Sequence, residues 1–345
     1  MPYTGRTIQT ATTSSNQSSL NANDYVEVRD TNGRGMGTFA TRTIAFGTRI
    51  IAEAGLLQID RKTSDAATIV QAFESLSSSR QSAYLSLHEF ACDSFMRAAE
   101  RELGQYWENI PKIHRRVLGI WAANSFGDVF LLGSRINHSC IPNVNFAYNS
   151  TLGKQTFHAV REIAAGEELT IMYNQGTNLL RNQRQTELRE WGFTCGCPAC
   201  EGMSKGEERR ADLFGLDQQL AMYPKSHTPV KTYEYWKSAL QMAQRMAAIQ
   251  KSEGLLNREL GASYRDAAWY SAKLGNPKIA LLWAEKELEV DAYCVGKDHP
   301  DYLEELQKVT QLRLAAESSQ PFDCSTIDWF TTQEEDLPST ECTVM

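Results

Sequence analysis

The sequence predicts an α+β protein: a domain of short strands carrying a helical insert, followed by an all-α, repeat-like helical domain. Three observations predict it. Strand-like texture appears in two separate blocks, near residues 24–60 and 144–173, with a helix-patterned stretch between them. Beyond Arg209, apolar residues recur at helical spacing as far as Leu314. At the junction of the two halves, three of the eight cysteines crowd into six residues, Cys195-Gly-Cys-Pro-Ala-Cys200.

In chain order, Asp24-Tyr-Val-Glu-Val-Arg29 alternates with period two and Thr48-Arg-Ile-Ile-Ala52 is β-branched, so both read as strands. Gly33-Arg-Gly-Met-Gly-Thr-Phe-Ala40 reads as a loop whose glycines admit positive φ and close backbone approach. Residues 61–124 form the insert: glycine is scarce, and Ile69, Val70, Phe73 and Leu76, then Ile113, Val117, Leu118 and Trp121, fall at helical spacing. Strands return at Val144–Tyr148, Gln155–Val160 and Glu168–Tyr173, with Asn149–Gly153 as a turn, and Asn178–Trp191 reads as a short helix. Leu260–Leu274 and Ile279–Val290 are two helices joined by Gly275-Asn-Pro277. Their small residues (Ala267, Ala268, Ala272, Ala280, Ala284) alternate with large ones (Tyr264, Tyr270, Trp283, Leu288), which suits a tetratricopeptide-type hairpin. The expected organisation is a disordered tail at 1–23, a mixed domain at 24–175 and a cysteine segment at 176–203. A helical domain at 204–318 and an acidic tail at 319–345 complete it.

Composition excludes several classes. At 345 residues the chain can hold two or three compact domains. No apolar run is long enough to span a bilayer, and Met1–Ala22 has neither the basic start nor the apolar block of a secretory signal. A net charge of −7 argues against a nucleic-acid binder held by phosphate contacts. The excess acid lies after residue 200, where 24 acidic face 16 basic side chains, a balance that favours a basic partner. No membrane and no nucleic acid are therefore expected as partners, and a reducing compartment, cytoplasmic or nuclear, as the location.

Three clustered thiols in such a chain read as metal ligands rather than a disulfide framework. Zinc takes four ligands, so Cys195, Cys197 and Cys200 need a fourth from elsewhere. Cys140, after the polar turn Asn137-His-Ser139, is the best fit. His138 is the alternative, disfavoured because an imidazole beside a cysteine in one turn rarely reaches the same ion. A closed four-thiolate shell would be structural rather than hydrolytic. The other motifs are modest singly. Arg135-Ile-Asn-His-Ser-Cys-Ile-Pro-Asn143 alone is a hydrogen-bonding turn. The glycine loop alone is a hairpin, and Ile163-Ala-Ala-Gly-Glu-Glu-Leu-Thr-Ile-Met-Tyr173 alone is a turn and a strand ending on a packed tyrosine.

In this order, however, the glycine loop followed by Arg42-Thr-Ile, the Arg135–Asn143 motif, Gly166-Glu-Glu-Leu-Thr with Tyr173, and Gly192-Phe-Thr-Cys-Gly-Cys-Pro-Ala-Cys200 resemble the SET-domain methyltransferases over residues 24–203. The helical half resembles the C-terminal domain of the SET-and-MYND branch and its fungal relatives. One departure stands out: the MYND finger expected near 50–100 is missing, with Cys92 the sole cysteine there. The resemblance implies the SET β-clip fold and a pocket for S-adenosylmethionine built by Arg34, Gly35, Met36, Gly37, Asn124, Asn137, His138, Tyr173 and Phe193. Tyr173 would be the catalytic tyrosine, and Phe193 would lie on the adenine. Phe126, with the aromatics Tyr148, Trp191 and Phe146, would line a lysine channel, although for the last three core packing is the stronger reading. Cys140, Cys195, Cys197 and Cys200 would hold Zn2+. The reaction implied is methyl transfer to a lysine of a protein partner, a basic peptide or histone tail, by a monomeric enzyme. A methyltransferase acting on a small-molecule amine, and a catalytically silent scaffold, are the competing readings.

Overall fold

The computed structural model describes residues 24–31, 33–60, 65–174, 176, 178–201, 205–222, 232–318, 322–323 and 327. The tails read at 1–23 and 319–345 lie outside these residues apart from the last three, as do Cys324 and Cys342.

Among the described residues, the strand-rich domain is built from three small sheets rather than one large one. β1 (Val26–Asp30) and β2 (Met36–Ala40) form an antiparallel hairpin with Asp30 opposite Met36. Gly33 and Gly35 turn it with φ of +111° and +76°, which only glycine adopts at low cost. The segment read as a loop is thus a turn as far as Gly35, and its second half is strand. β3 (Arg49–Glu53) leads into the insert, whose helices are α1 (Ala66–Glu74), α2 (Ser78–Leu85), α3 (Asp93–Leu103) and α4 (Lys112–Asn124). They share one apolar core of Ile69, Phe73, Phe95, Val117, Leu118 and Ile120. Asp65 starts α1 by accepting the Thr68 N–H at 2.7 Å. Tyr84 is wholly buried, and its hydroxyl donates to the Val117 carbonyl at 2.9 Å.

After the insert come β4 (Asn137–His138), β5 (Val144–Asn149), β6 (Lys154–Ala159) and β7 (Thr170–Ile171). β6 lies between β3 and β5, antiparallel to both, and β4 runs parallel to β7 with His138 opposite Ile171. The six-residue strand expected at 168–173 is confined to β7, and Tyr173 lies beyond its end. The cause is a change of partner. Residues 167–169 bond to β2, through Ala40 N–H to Glu167 O and Leu169 N–H to Thr38 O, before the chain turns to β4. Asn143 secures the crossing, accepting the Thr170 N–H at 2.7 Å and donating to Glu168 O at 2.8 Å.

The rest is helical: α5 (Arg181–Arg189), α6 (Pro198–Glu201), α7 (Lys205–Met222), α8 (Tyr233–Ser252), α9 (Arg258–Lys273), α10 (Pro277–Cys294) and α11 (Pro300–Glu317). The hairpin expected from the alanine pattern is α9–α10. Gly275 takes φ +72° at the bend, and the Asn276 side chain caps α10 by accepting the Ile279 N–H. Pro300 begins α11, where its missing N–H costs nothing. The two halves meet along β5 and β6, where Val160 and Ala147 share an apolar cluster with Tyr264, Val290 and Tyr293. Asn145 donates there to Cys294 O at 3.0 Å, and Arg49 pairs with Asp298. Among the described residues, no helix is long and apolar enough to cross a membrane.

Candidate active site and thiolate centre

Four sulfurs form the first part of the site. Cys140 follows β4, Cys195 and Cys197 occupy the loop after α5, and Cys200 sits on α6. Gln185 on α5 fixes that loop, exchanging two hydrogen bonds of 2.8 and 3.0 Å with the Cys195 main chain. All four Sγ atoms lie within 4.8 Å of one another, with Cys140 at 4.0 Å from Cys195 and 3.6 Å from Cys200. Thiolates about 2.3 Å from a tetrahedral zinc would sit roughly 3.8 Å apart, so the donor set fits that ion. In the protein alone the thiols share charge unequally. Hydrogen bonds from Cys140 and the other two pull Cys197 far below the ordinary thiol range, while Cys195 and its neighbours push Cys140 far above it. A divalent cation would relieve that conflict by stabilising all four anions at once.

The second part is aromatic. The Tyr173 ring lies 4.9 Å from Trp191, 5.4 Å from His138, and 6.2 Å from both Phe126 and Phe193. Phe146 extends the group, 5.1 Å from Phe126, and also stacks into the core against Phe157. The Tyr173 hydroxyl donates to Ile136 O at 2.7 Å. Burial, with help from the Glu168 charge, raises its pKa well above the ordinary value, so the phenol is neutral.

His138 joins the two parts. Its Nδ1 accepts the Tyr173 N–H at 3.0 Å, which leaves the ring proton on Nε2, 3.3 Å from Cys140 Sγ. Burial pushes this histidine down to about 4, so the imidazole is neutral and the arrangement is self-consistent. His138 is therefore a neighbour of the sulfur centre in this geometry, while Cys140 completes the set of four.

The third part is the glycine turn. Arg34, half exposed, pairs with Glu168 at 2.7 Å, and the other oxygen of Glu168 accepts from Asn137 Nδ2 at 2.7 Å. Asn137 also reaches Met36 O at 3.3 Å. A Cβ on Gly37 would meet Thr31 Cγ2 at 2.6 Å, Glu168 Oε1 at 2.8 Å and Asn137 Nδ2 at 3.0 Å, whereas one on Gly35 would meet nothing within 4 Å. A guanidinium and a carboxylate side by side at an open turn suit a zwitterionic amino-acid group, so the donor set fits S-adenosylmethionine.

The structure brings Arg34, Gly35, Met36, Gly37, Asn137, His138, Phe126, Tyr173, Trp191 and Phe193 into this one region. Asn124 is buried at the end of α4, and its amide donates to His88 O and Ile120 O, both at 2.7 Å. Those bonds make it an anchor of the insert. Tyr148 stands apart. It is 44% exposed at the far end of β5, and its carbonyl lies 3.1 Å from His299 Nε2. Sequence reading passed over four residues. Glu53 accepts the Leu132 and Gly133 N–H groups at 3.0–3.1 Å and so positions the chain leading to Asn137. Glu168 stood inside a recognised motif with no role attached. Arg184 and Arg210, 0% and 1% exposed, lie against the sulfur centre, and nothing in their neighbouring residues marks them as buried.

The family model described as "SET domain" matches residues 35–174. The chain is 30% identical over 270 residues to "Histone-lysine N-methyltransferase set5" of Schizosaccharomyces pombe, covering 78% of this chain and 79% of that one. It is 39% identical over 104 residues to "Histone-lysine N-methyltransferase SET5" of Meyerozyma guilliermondii, 29% of this chain but 21% of the relative. With "Histone-lysine N-methyltransferase SMYD3" of Mus musculus it shares 29% identity over 189 residues, 52% of this chain and 42% of that protein.

Proposed function

Because the chain belongs to the SET-domain protein-lysine methyltransferases, we propose that the aromatic cluster around Tyr173 is where a lysine amine of a protein receives the methyl group of S-adenosylmethionine. The observation that carries this reading is the convergence on Tyr173 of His138, Phe126, Trp191 and Phe193, beside the glycine turn and the thiolate centre.

Bound at the turn, S-adenosylmethionine would supply an electrophilic sulfonium methyl, and zinc in the thiolate shell would supply only structural ties. Arg34 would hold the cofactor's carboxylate, and Glu168 its ammonium group. Phe193 and His138 would flank the remainder. Phe126 and Trp191 act on the acceptor. A lysine has a free pKa near ~10.4, and its passage between apolar rings removes water and favours the neutral, nucleophilic amine. Tyr173 spends its proton on Ile136 O, so its oxygen lone pairs are available to an electron-poor methyl. The acceptor would give up its ammonium proton to water on entry, and these rings would hold its neutral nitrogen towards the methyl that the cofactor would supply. Alignment of the attacking nitrogen is the principal contribution of these walls.

The substrate proposed is a histone lysine in the nucleus, the substrate class in the names of the relatives, and a basic tail suits the acidic helical half. The helical domain is proposed to close one side of the substrate cleft. The test is transfer of labelled methyl from S-adenosylmethionine by the full chain to core histones, free lysine or no acceptor. Label on histone lysines supports the reading. Label on free amine alone would favour a small-molecule substrate, and saturable cofactor binding without transfer to any acceptor would favour a scaffold.

A further inference from the structure

Among the described residues, the two largest wholly buried side chains are not apolar: they are Arg184 and Arg210. Burying one guanidinium costs several kcal/mol unless charge and hydrogen bonds compensate it, and here two are buried together. Arg184, on α5, donates to Leu179 O at 2.6 Å and lies 3.8 Å from Cys200 Sγ. Its Nε finds no partner among the described residues. Arg210, on α7, donates to Cys140 O at 3.1 Å. Each also faces a carboxylate: Glu207 at 3.5 Å from Arg184 and Glu253 at 3.9 Å from Arg210. Glu207 is one third exposed, and Glu253 makes its close contact with Arg209.

Both guanidiniums also border the sulfur centre, Arg184 at Cys200 Sγ and Arg210 at the Cys140 carbonyl. Four thiolates around one divalent ion carry a net charge of −2, in a place where Cys140, Cys195 and Cys200 are all buried. We infer that Arg184 and Arg210 form a cationic clamp that offsets this dianion, and that through Arg210 the loaded centre docks helix α7, and with it the helical domain, onto the catalytic domain. The inference rests on the metal reading given above. The clamp explains why one arginine comes from each side of the junction: α5 belongs to the cysteine segment, α7 to the helical domain. Glu207 reinforces the seam by accepting the Arg181 N–H at 2.7 Å. Arg184 and Arg210 are thus positioning residues, acting on the cleft through the metal shell.

The clamp predicts a two-way coupling. Removing one guanidinium should weaken zinc retention, and removing zinc should loosen α7. Outer-shell partners of a metal site are typically worth 10–100-fold in affinity. The test uses the full-length chain, with Zn2+ measured by elemental analysis and its affinity by competition against a chromogenic chelator. Arg184→Met and Arg210→Met should each lower zinc affinity 10- to 100-fold, with Arg210→Lys recovering most of the loss because charge is kept. Unchanged affinity in both Met variants would overturn the clamp while leaving the metal reading intact. A wild-type chain that binds no zinc would overturn the metal reading and the clamp with it. Should the variants fail to fold, the wild type still decides: on chelation, amide exchange over residues 205–222 should rise while the β5–β6 hairpin stays protected. Equal protection of α7 with and without zinc would refute the docking role.

Discussion

At the residue scale the proposed chemistry turns on Tyr173 and the sulfur centre next to it. Tyr173→Phe removes the hydroxyl and its bond to Ile136 O but leaves the ring contacts with Trp191, His138 and Phe193. Cofactor affinity by isothermal titration should stay nearly unchanged, and turnover should fall by roughly 100-fold or more. Unchanged turnover would remove the tyrosine from the mechanism. Cys197→Ser tests the link between metal and cofactor. His138 ties the Tyr173 N–H to Cys140 Sγ, and Phe193 lies two residues before Cys195. Loss of the metal should therefore disturb both walls of the proposed cofactor pocket. The variant should lose zinc and cofactor binding together, measured by elemental analysis and titration, and full cofactor binding without metal would refute the coupling. Cysteine spacing alone announced three of the four sulfurs. The fourth was legible only as a turn of the right polarity, because it arrives from 55 residues away.

At the element scale the site depends on the hairpin β1–β2 lying against β7 and β4. Gly37 is where these elements come closest, since a Cβ there would strike Thr31, Glu168 and Asn137. Gly37→Ala should force the turn and Glu168 apart, costing about 1–3 kcal/mol. Its expected readout is cofactor binding weakened by roughly tenfold or more, with less effect on zinc content. Wild-type affinity in this variant would show that the crowding is relieved by side-chain motion alone. The elements also show why some expectations needed revision. Alternation along β5 puts Phe146 and Tyr148 on the same side of the strand. Yet Phe146 is covered by Phe126 and Phe157, while Tyr148 reaches the sheet's open end and contacts the α10–α11 connection. The period of a strand is visible in the residues; where its neighbours stop is not.

At the scale of the whole molecule, the two halves are held by polar ties across an apolar seam, and one of these is sensitive to pH. His158 on β6 is 1% exposed, and burial with the Arg49 charge beside it pushes its pKa down to about 4. Unfolded, it would titrate near ~6.5. Between these values the unfolded chain binds the extra proton, so the histidine's contribution to stability is full above about 6.5 and is lost as pH falls towards 4. The loss amounts to at most about 3 kcal/mol over that window. Glu287 and Glu305, buried between α10 and α11, are raised and act with the opposite sign, so the test is a difference. Denaturant unfolding of wild type and His158→Gln from pH 4 to 7.5 should diverge as a one-proton curve. Parallel curves would mean that His158 does not titrate across unfolding.

By itself the sequence determined the α+β division, the α9–α10 hairpin, the helical insert and the four motifs whose order marks the family. These properties are local: alternation, helical spacing, glycine at a turn and thiols within one loop are set by residues near one another in the chain. Tertiary structure alone decided the rest. It brought Cys140 to the other three sulfurs, set His138 between Tyr173 and Cys140, joined Arg34 to Glu168 across 134 residues, and buried Arg184 and Arg210 against the centre. An arginine on a polar helix reads as solvated until something packs over it. Its burial depends on partners assembled from distant segments, the Cys140 carbonyl and the Cys200 sulfur among them, and they meet only once the chain has folded.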